Sequence, residues 1–173
     1  LVHDVNTRFD VPHSRWNDVS RGQFDAAGLR VLAESDVGVH LATSPDGFRF
    51  VFFQGHPEYD TVSLLKEYKR EVMRYAHGES EDYPPFVDHY LSARNQAILG
   101  EYRQQVDAAR AVTGELPAFP DQLLMRDLDN TWRDTAHAVV GNWVGLVYQL
   151  TNSDRRMPFM ASVDPANPLG LPD

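Results

Sequence analysis

The stretch that most constrains the fold lies between residues 37 and 55. Two runs rich in β-branched and aromatic residues, Val37 to Thr43 and Phe48 to Gln54, flank Ser44-Pro45-Asp46-Gly47. Proline presets a turn dihedral, aspartate bonds its own backbone and glycine accepts left-handed geometry. The spacing therefore predicts a β-hairpin. Leu29 to Glu34 is a further strand candidate just before it. In the first of the two runs Val39 and Leu41 alternate with His40 and Ala42. The continuous apolar run Phe50-Val51-Phe52-Phe53 predicts a strand covered on both faces. Gly55 ends it.

After the hairpin the periodicity turns helical. Asp60 is placed to cap a helix through about Ala76, with Leu64, Leu65, Tyr68 and Val72 as its apolar stripe. A loop from His77 ends in Pro84-Pro85. Val87, Leu91, Ile98, Tyr102, Val106 and Ala109 then mark one face of a long amphipathic segment, broken by Gly114, Pro117 and Pro120. A last helix is expected from about Thr131 to Thr151, with Trp132, Ala136, Val139, Val140, Trp143 and Val147 inward. Residues 1–16 read as extended, with Pro12 holding Val11 out of helical geometry. The proline-bearing tail, 157–173, reads as irregular. A few strands followed by helices make an α/β chain. A sheet this small leaves an edge and a face open, so further strands are expected in a half that precedes the chain. The first residue is Leu1 rather than Met, so processing or truncation is expected.

A chain of 173 residues with 42% hydrophobic and 24% charged content fits one soluble domain. Its net charge of -9 disfavours nucleic acid and anionic membranes as partners. No apolar run approaches the roughly 20 residues that span a bilayer, and no signal peptide is visible. The sequence has no cysteine, which excludes disulfides and thiolate metal sites within it. The composition is compatible with a cytoplasmic protein.

The strongest chemical feature is Gly55-His56-Pro57-Glu58. A histidine just past a strand, with a carboxylate two residues on, presents a general base beside the group that can orient it. Imidazole takes up a proton near neutral pH, and a carboxylate on its other nitrogen fixes the tautomer. The plainer alternative is a histidine closing a loop and a solvated glutamate before a helix. His13 and Ser14 with Asp18 lack the Gly-x-Ser-x-Gly elbow of a serine nucleophile. The histidines have no zinc-type spacing, so no metal is expected.

Gly55-His56-Pro57-Glu58-Tyr59-Asp60, followed by Leu65, Glu67, Tyr68 and Arg70, resembles the homoserine O-succinyltransferase family, built on a class I glutamine-amidotransferase-like domain. Val11-Pro12-His13-Ser14-Arg15, Gly28 to Ser35, Asn130-Thr131-Trp132-Arg133, Asn142-Trp143 and Val147-Tyr148-Gln149 match further stretches in the family's order. The resemblance implies a flavodoxin-like fold. It makes 1–156 the C-terminal part of one acyltransferase domain, with a helical insert at about 86–128.

It also implies an activity. A succinyl or acetyl group would move from acyl-CoA, a co-substrate rather than a bound cofactor, to the hydroxyl of homoserine, feeding methionine synthesis. His56 would be the base and Glu58 its orienting acid. Arg70 would bind the amino-acid substrate, and Ser14 would contact it. The nucleophilic cysteine would lie in the preceding half, the chain's expected partner, and the enzyme would be a homodimer. From the residues alone, Arg70 reads equally as a solvated charge and Ser14 as a turn hydroxyl. Asp134-Thr135 and the long insert depart from common members, so a serine-like acceptor stays open. A glutamine amidotransferase and an inactive binding or regulatory fragment are the other readings.

Overall fold

In the computed structural model, which describes residues 1–112 and 114–172, the elements run α1 (Arg21–Ala26), β1 (Arg30–Ser35), β2 (Gly38–Thr43), β3 (Val51–Phe53), α2 (Ser63–Ala76), α3 (Ala93–Ala111), α4 (Asp121–Leu124), a 3-10 turn (Met125–Asp127) and α5 (Arg133–Leu150). Thr113, inside the expected insert, and Asp173, at the end of the expected tail, lie outside the described residues. The chain forms two compact units. One comprises Leu1–Glu58 with Thr131–Asp173, and the other Tyr59–Asn130.

The first unit is built on an antiparallel sheet of order β1-β2-β3. Leu41, Ala42 and Thr43 pair with Phe53, Phe52 and Val51. The α/β class holds, with every strand pairing among the described residues antiparallel. The hairpin forms, but its third strand starts at Val51 rather than Phe48. The Asp46 carboxylate explains the shortening. Its Oδ1 accepts the Ser44 hydroxyl at 2.6 Å and the amides of Phe48 and Arg49 at 3.1 Å each. The Ser44 hydroxyl in turn accepts the Phe50 amide at 3.0 Å. Those amides close the turn and cannot pair with β2. Burial alone would raise the Asp46 pKa, but its hydrogen bonds from Ser44, Arg49 and Phe48, and the nearby Arg49 charge, hold it below the ordinary value.

The expectation that the apolar run is covered on both faces fails. Phe50 is 64% and Phe52 40% exposed. β3 is an edge strand with one face open in this chain, and the two rings lean on each other at 6.4 Å instead.

Helix α5 buries Trp132, Ala136 and Val139. Val140, assigned to the same stripe, is exposed because one residue further turns it about 100° away. The Trp143 indole donates to the Phe48 carbonyl at 2.9 Å. Among its described residues the tail contains no helix or strand, yet it is docked. Phe159 is buried against Phe48 at 6.2 Å, and the Arg49 guanidinium lies 5.3 Å from the Phe159 ring. Gly47 (φ +77°) lies against the end of the tail, and a Cβ there would come within 2.8 Å of Leu171.

The second unit packs α2 and α3 around one core. Helix α2 buries Leu64, Leu65, Tyr68 and Val72, the stripe read from the sequence. It starts at Ser63 rather than at a cap on Asp60. The Asp60 carboxylate is engaged by the Val62 amide and the Ser63 hydroxyl, forming a turn ahead of the helix. Helix α3 begins at Ala93, where the Ser92 hydroxyl accepts the Asn95 amide at 3.1 Å. Val87 and Leu91 therefore precede it. Its inward face is Asn95, Leu99, Tyr102 and Val106, so Leu99 takes the place expected for Ile98.

Leu99 is fully buried in the second unit's core. Leu99→Ala should cost about 2–5 kcal/mol, read from urea denaturation. A loss below about 1 kcal/mol would mean the core closes over the cavity.

Candidate active site

The site residues His56, Glu58 and Ser14 all belong to the first unit. Gly55 lets two backbones meet beside them. A Cβ on Gly55 would stand 2.4 Å from Val11 Cγ1 and 2.9 Å from the Pro12 carbonyl oxygen. Glycine is needed here for close approach rather than for unusual dihedrals. The His56 amide then donates to Pro12 O at 2.8 Å, which fixes the start of the loop bearing the ring.

Both ring nitrogens meet oxygen. Nδ1 lies 2.9 Å from Glu58 Oε1, and Nε2 lies 3.0 Å from the Ser14 carbonyl oxygen. A carbonyl only accepts, so Nε2 carries a proton. An ionised carboxylate also only accepts, so a ring that satisfies both is a double donor, the imidazolium form. Burial alone would raise the Glu58 pKa. The hydrogen bond from His56, one from its own amide and the His56 charge outweigh it and hold the carboxyl below its ordinary value. The Glu58 side chain is 66% exposed and that of His56 32%. An ion pair so open to water adds little stability; its consequence is orientation of the ring.

Ser14 approaches the ring through its main-chain carbonyl. Arg70 belongs to the second unit, on α2. Its side chain is 61% exposed, and Nε lies 3.1 Å from Glu71 Oε1. It lies off the buried α2 stripe, as its position in the sequence implies.

Three residues of the first unit were given no role by sequence. Arg15 Nη1 contacts His13 Nδ1 and donates to Gln54 O at 3.2 Å. Gln54 closes the apolar run with a polar side chain, the one sequence sign that something is held there. His40 is enclosed by the rings of Phe9, His13 and Phe53 at 6.0, 5.9 and 5.7 Å. Its Nδ1 is buried without a partner. Burial first, then the charges of His13 and Arg15, push its pKa down to about 4. His40 lines a cavity of about 10 Å³ with Phe9, Asp10, Pro57, Trp132 and Thr135, room for one water at most. Among the described residues no cluster of His, Cys, Asp or Glu could hold a metal ion. No helix among them is long and apolar enough to cross a membrane.

A strand-end histidine paired through Nδ1 with a carboxylate two residues on is the base-and-orienter arrangement of triad enzymes. The chain belongs to the homoserine O-succinyltransferase family, whose sequence model matches residues 1–153. It is 62% identical over 172 residues to the homoserine O-succinyltransferase of Methylococcus capsulatus, covering 99% of this chain and 48% of that relative. It is 61% identical over 172 residues to the protein of that name from Allochromatium vinosum, again covering 99% and 48%. With that of Thioalkalivibrio nitratireducens the identity is 62% over 170 residues, with coverage of 98% and 48%. The chain thus spans about half the length of the curated relatives it matches. No solved structure matches it.

His40 makes the stability of the first unit pH-dependent. The folded state keeps it neutral down to about pH 4, whereas the unfolded chain protonates it near 6.5. The folded chain therefore binds fewer protons in that window. Its stability is full above pH 6.5 and falls as the pH drops towards 4. His13, held below its ordinary value by burial and by Arg15, acts in the same direction. Urea midpoints measured from pH 7 to 4 should decline, and His40→Leu should flatten that decline. An unchanged slope in the variant would assign the effect to other groups.

Proposed function

We propose that this chain is the part of a homoserine O-acyltransferase that carries the base, His56, and its orienting acid, Glu58. The observation that carries the reading is the 2.9 Å contact between His56 Nδ1 and Glu58 Oε1 in a chain 62% identical to a homoserine O-succinyltransferase. The complete enzyme takes the flavodoxin-like, glutamine-amidotransferase-like fold and works in the cytoplasm as a homodimer. Its nucleophile is a cysteine outside this chain, which has none. That the relatives are homoserine O-succinyltransferases favours succinyl over acetyl as the group transferred.

The reaction runs in two halves. The cysteine sulfur, as thiolate beside the His56 imidazolium, attacks the acyl-CoA carbonyl carbon. A carbon–sulfur bond forms, the bond to coenzyme A breaks, and the departing thiolate takes a proton from His56. Homoserine then binds with its carboxylate on the Arg70 guanidinium, a pairing that suits a planar fork, and touches Ser14. Neutral His56 accepts the hydroxyl proton as the oxygen attacks the thioester. The acyl–oxygen bond forms and the acyl–sulfur bond breaks. This restores the thiolate and the imidazolium, which Glu58 holds throughout.

A chimaera tests the reading. This chain is put in place of the matched segment of the Methylococcus capsulatus relative and supplied with succinyl-CoA and homoserine. Acyl-homoserine should form, and ammonia should not be released from glutamine. Ammonia release without acyl transfer would make the protein an amidotransferase. His56→Ala should abolish the covalent acyl-enzyme seen by intact mass. A thioester that accumulates at the unmodified rate would remove His56 from the base role. Arg70→Ala should raise KM for homoserine roughly tenfold or more with a smaller change in kcat. An unchanged KM returns Arg70 to a solvated charge.

A further inference from the structure

We infer that Glu67 binds the ammonium group of the amino-acid acceptor, so that α2 reads both charges of the substrate's zwitterionic end. The inference rests on the substrate role proposed above for Arg70.

Four charged side chains share one face of α2. At about 100° of rotation per residue, Glu67, Arg70, Glu71 and Arg74 fall within a sector of about 100°. Residues three and four apart on a helix are neighbours, and opposite charges so placed ordinarily pair. Glu71 does so. Its Oε1 accepts Arg70 Nε at 3.1 Å, and its Oε2 accepts Arg74 Nη1 at 3.0 Å. The lysines flanking the face are engaged as well, Lys66 by Asp60 at 3.6 Å and Lys69 by Asp121 at 2.6 Å. Glu67 stands among these cations and, among the described residues, pairs with none of them.

Its partner is a neutral hydroxyl. Helical side chains lean towards the N-terminus, which carries Glu67 back to Tyr59. The Tyr59 hydroxyl donates to Glu67 Oε1 at 2.9 Å. A carboxylate has about four lone-pair sites on its two oxygens. Tyr59 uses one, and Oε2 accepts no hydrogen bond among the described residues. The half-buried side chain is thus held in place with its charge uncompensated. Three residues on, Arg70 gives Nε to Glu71, and its Nη1 and Nη2 bond nothing among the described residues.

This face therefore sets an anchored acceptor beside a fork of donors. An α-amino acid carries the complementary pair, an ammonium and a carboxylate on one carbon. With the carboxylate on the Arg70 fork, the ammonium meets the one acid of α2 that lacks a cation. Both contacts are charge-assisted, the stronger class of hydrogen bond. Arg70 alone would hold any carboxylate of the right length. Glu67 supplies the distinction, because a site built to bond a substrate N–H rejects the analogue that lacks it.

Glu67→Gln in the chimaera tests this. The amide keeps the shape and still accepts the Tyr59 hydroxyl, so the charge alone is removed. Acyl transfer is followed with homoserine and with 4-hydroxybutyrate, which lacks the amino group. KM for homoserine should rise roughly 10- to 100-fold, with kcat changed less than about threefold. The kcat/KM for 4-hydroxybutyrate should hold or rise, since its carboxylate no longer approaches a bare negative charge. An unchanged KM for homoserine overturns the inference. So do equal losses on both acceptors, because a merely structural role falls on both alike. Calorimetric titration of homoserine into the same proteins separates this inference from the proposed function. Homoserine binding that weakens in the variant, with no acyl transfer by the parent chimaera, removes the proposed function and keeps Glu67 as the ammonium partner. Acyl transfer with binding unaffected by the substitution removes Glu67 alone. A parent chimaera that neither transfers an acyl group nor binds homoserine overturns both.

Discussion

The first unit depends on a steric fact, the absence of a side chain at Gly55. Two main chains cross there with no room for even a methyl group. The crossing lets the His56 amide reach Pro12 O. That contact brings Ser14 beside the imidazole and puts Arg15 within reach of the strand end. A larger residue would push the Val11–His13 segment away and loosen each of these at once. The geometry of the His56 ring is therefore a consequence of backbone packing, and the polar contacts refine what that packing permits.

Much of this was legible in the sequence, for identifiable reasons. The hairpin showed because turn residues and β-branched runs act locally, and the α2 stripe showed because helical spacing is local too. The dyad was legible because two residues separate its members. Boundaries failed where a side chain competed for backbone amides. Asp46 took those of Phe48 and Arg49, and Asp60 and Ser92 each moved a helix start. Helix α1 went unread although Ser20 and Gln23 form a capping box. The contacts of Gln54, Arg15 and His40 were out of reach because their partners are distant in sequence, up to 39 residues away for Arg15 and Gln54. Exposure of Phe50 and Phe52 contradicts an apolar run read as buried, since a run of hydrophobics cannot say which neighbours cover it.

The two units contribute differently. The first holds the dyad on a three-stranded edge sheet, with α5 and an irregular tail packed on it. The second is helical, with its own core and the exposed Arg70 on α2. Membership of the homoserine O-succinyltransferase family rests on a match over residues 1–153, which runs through both units. The relatives are about twice as long as the chain. The chemistry proposed here accordingly divides between residues present in this chain and a nucleophile outside it.

Trp16 lies one residue beyond Arg15 and is almost wholly in water. Trp132 is buried, and the Trp143 indole is tied to a carbonyl. The three indoles thus have distinct surroundings, and the solvated one stands on the loop that carries the Ser14 carbonyl. The protein carries its own optical reporter at the place of interest. Emission from Trp16 follows the polarity around that loop, so a blue shift registers whatever closes over the histidine, without a label.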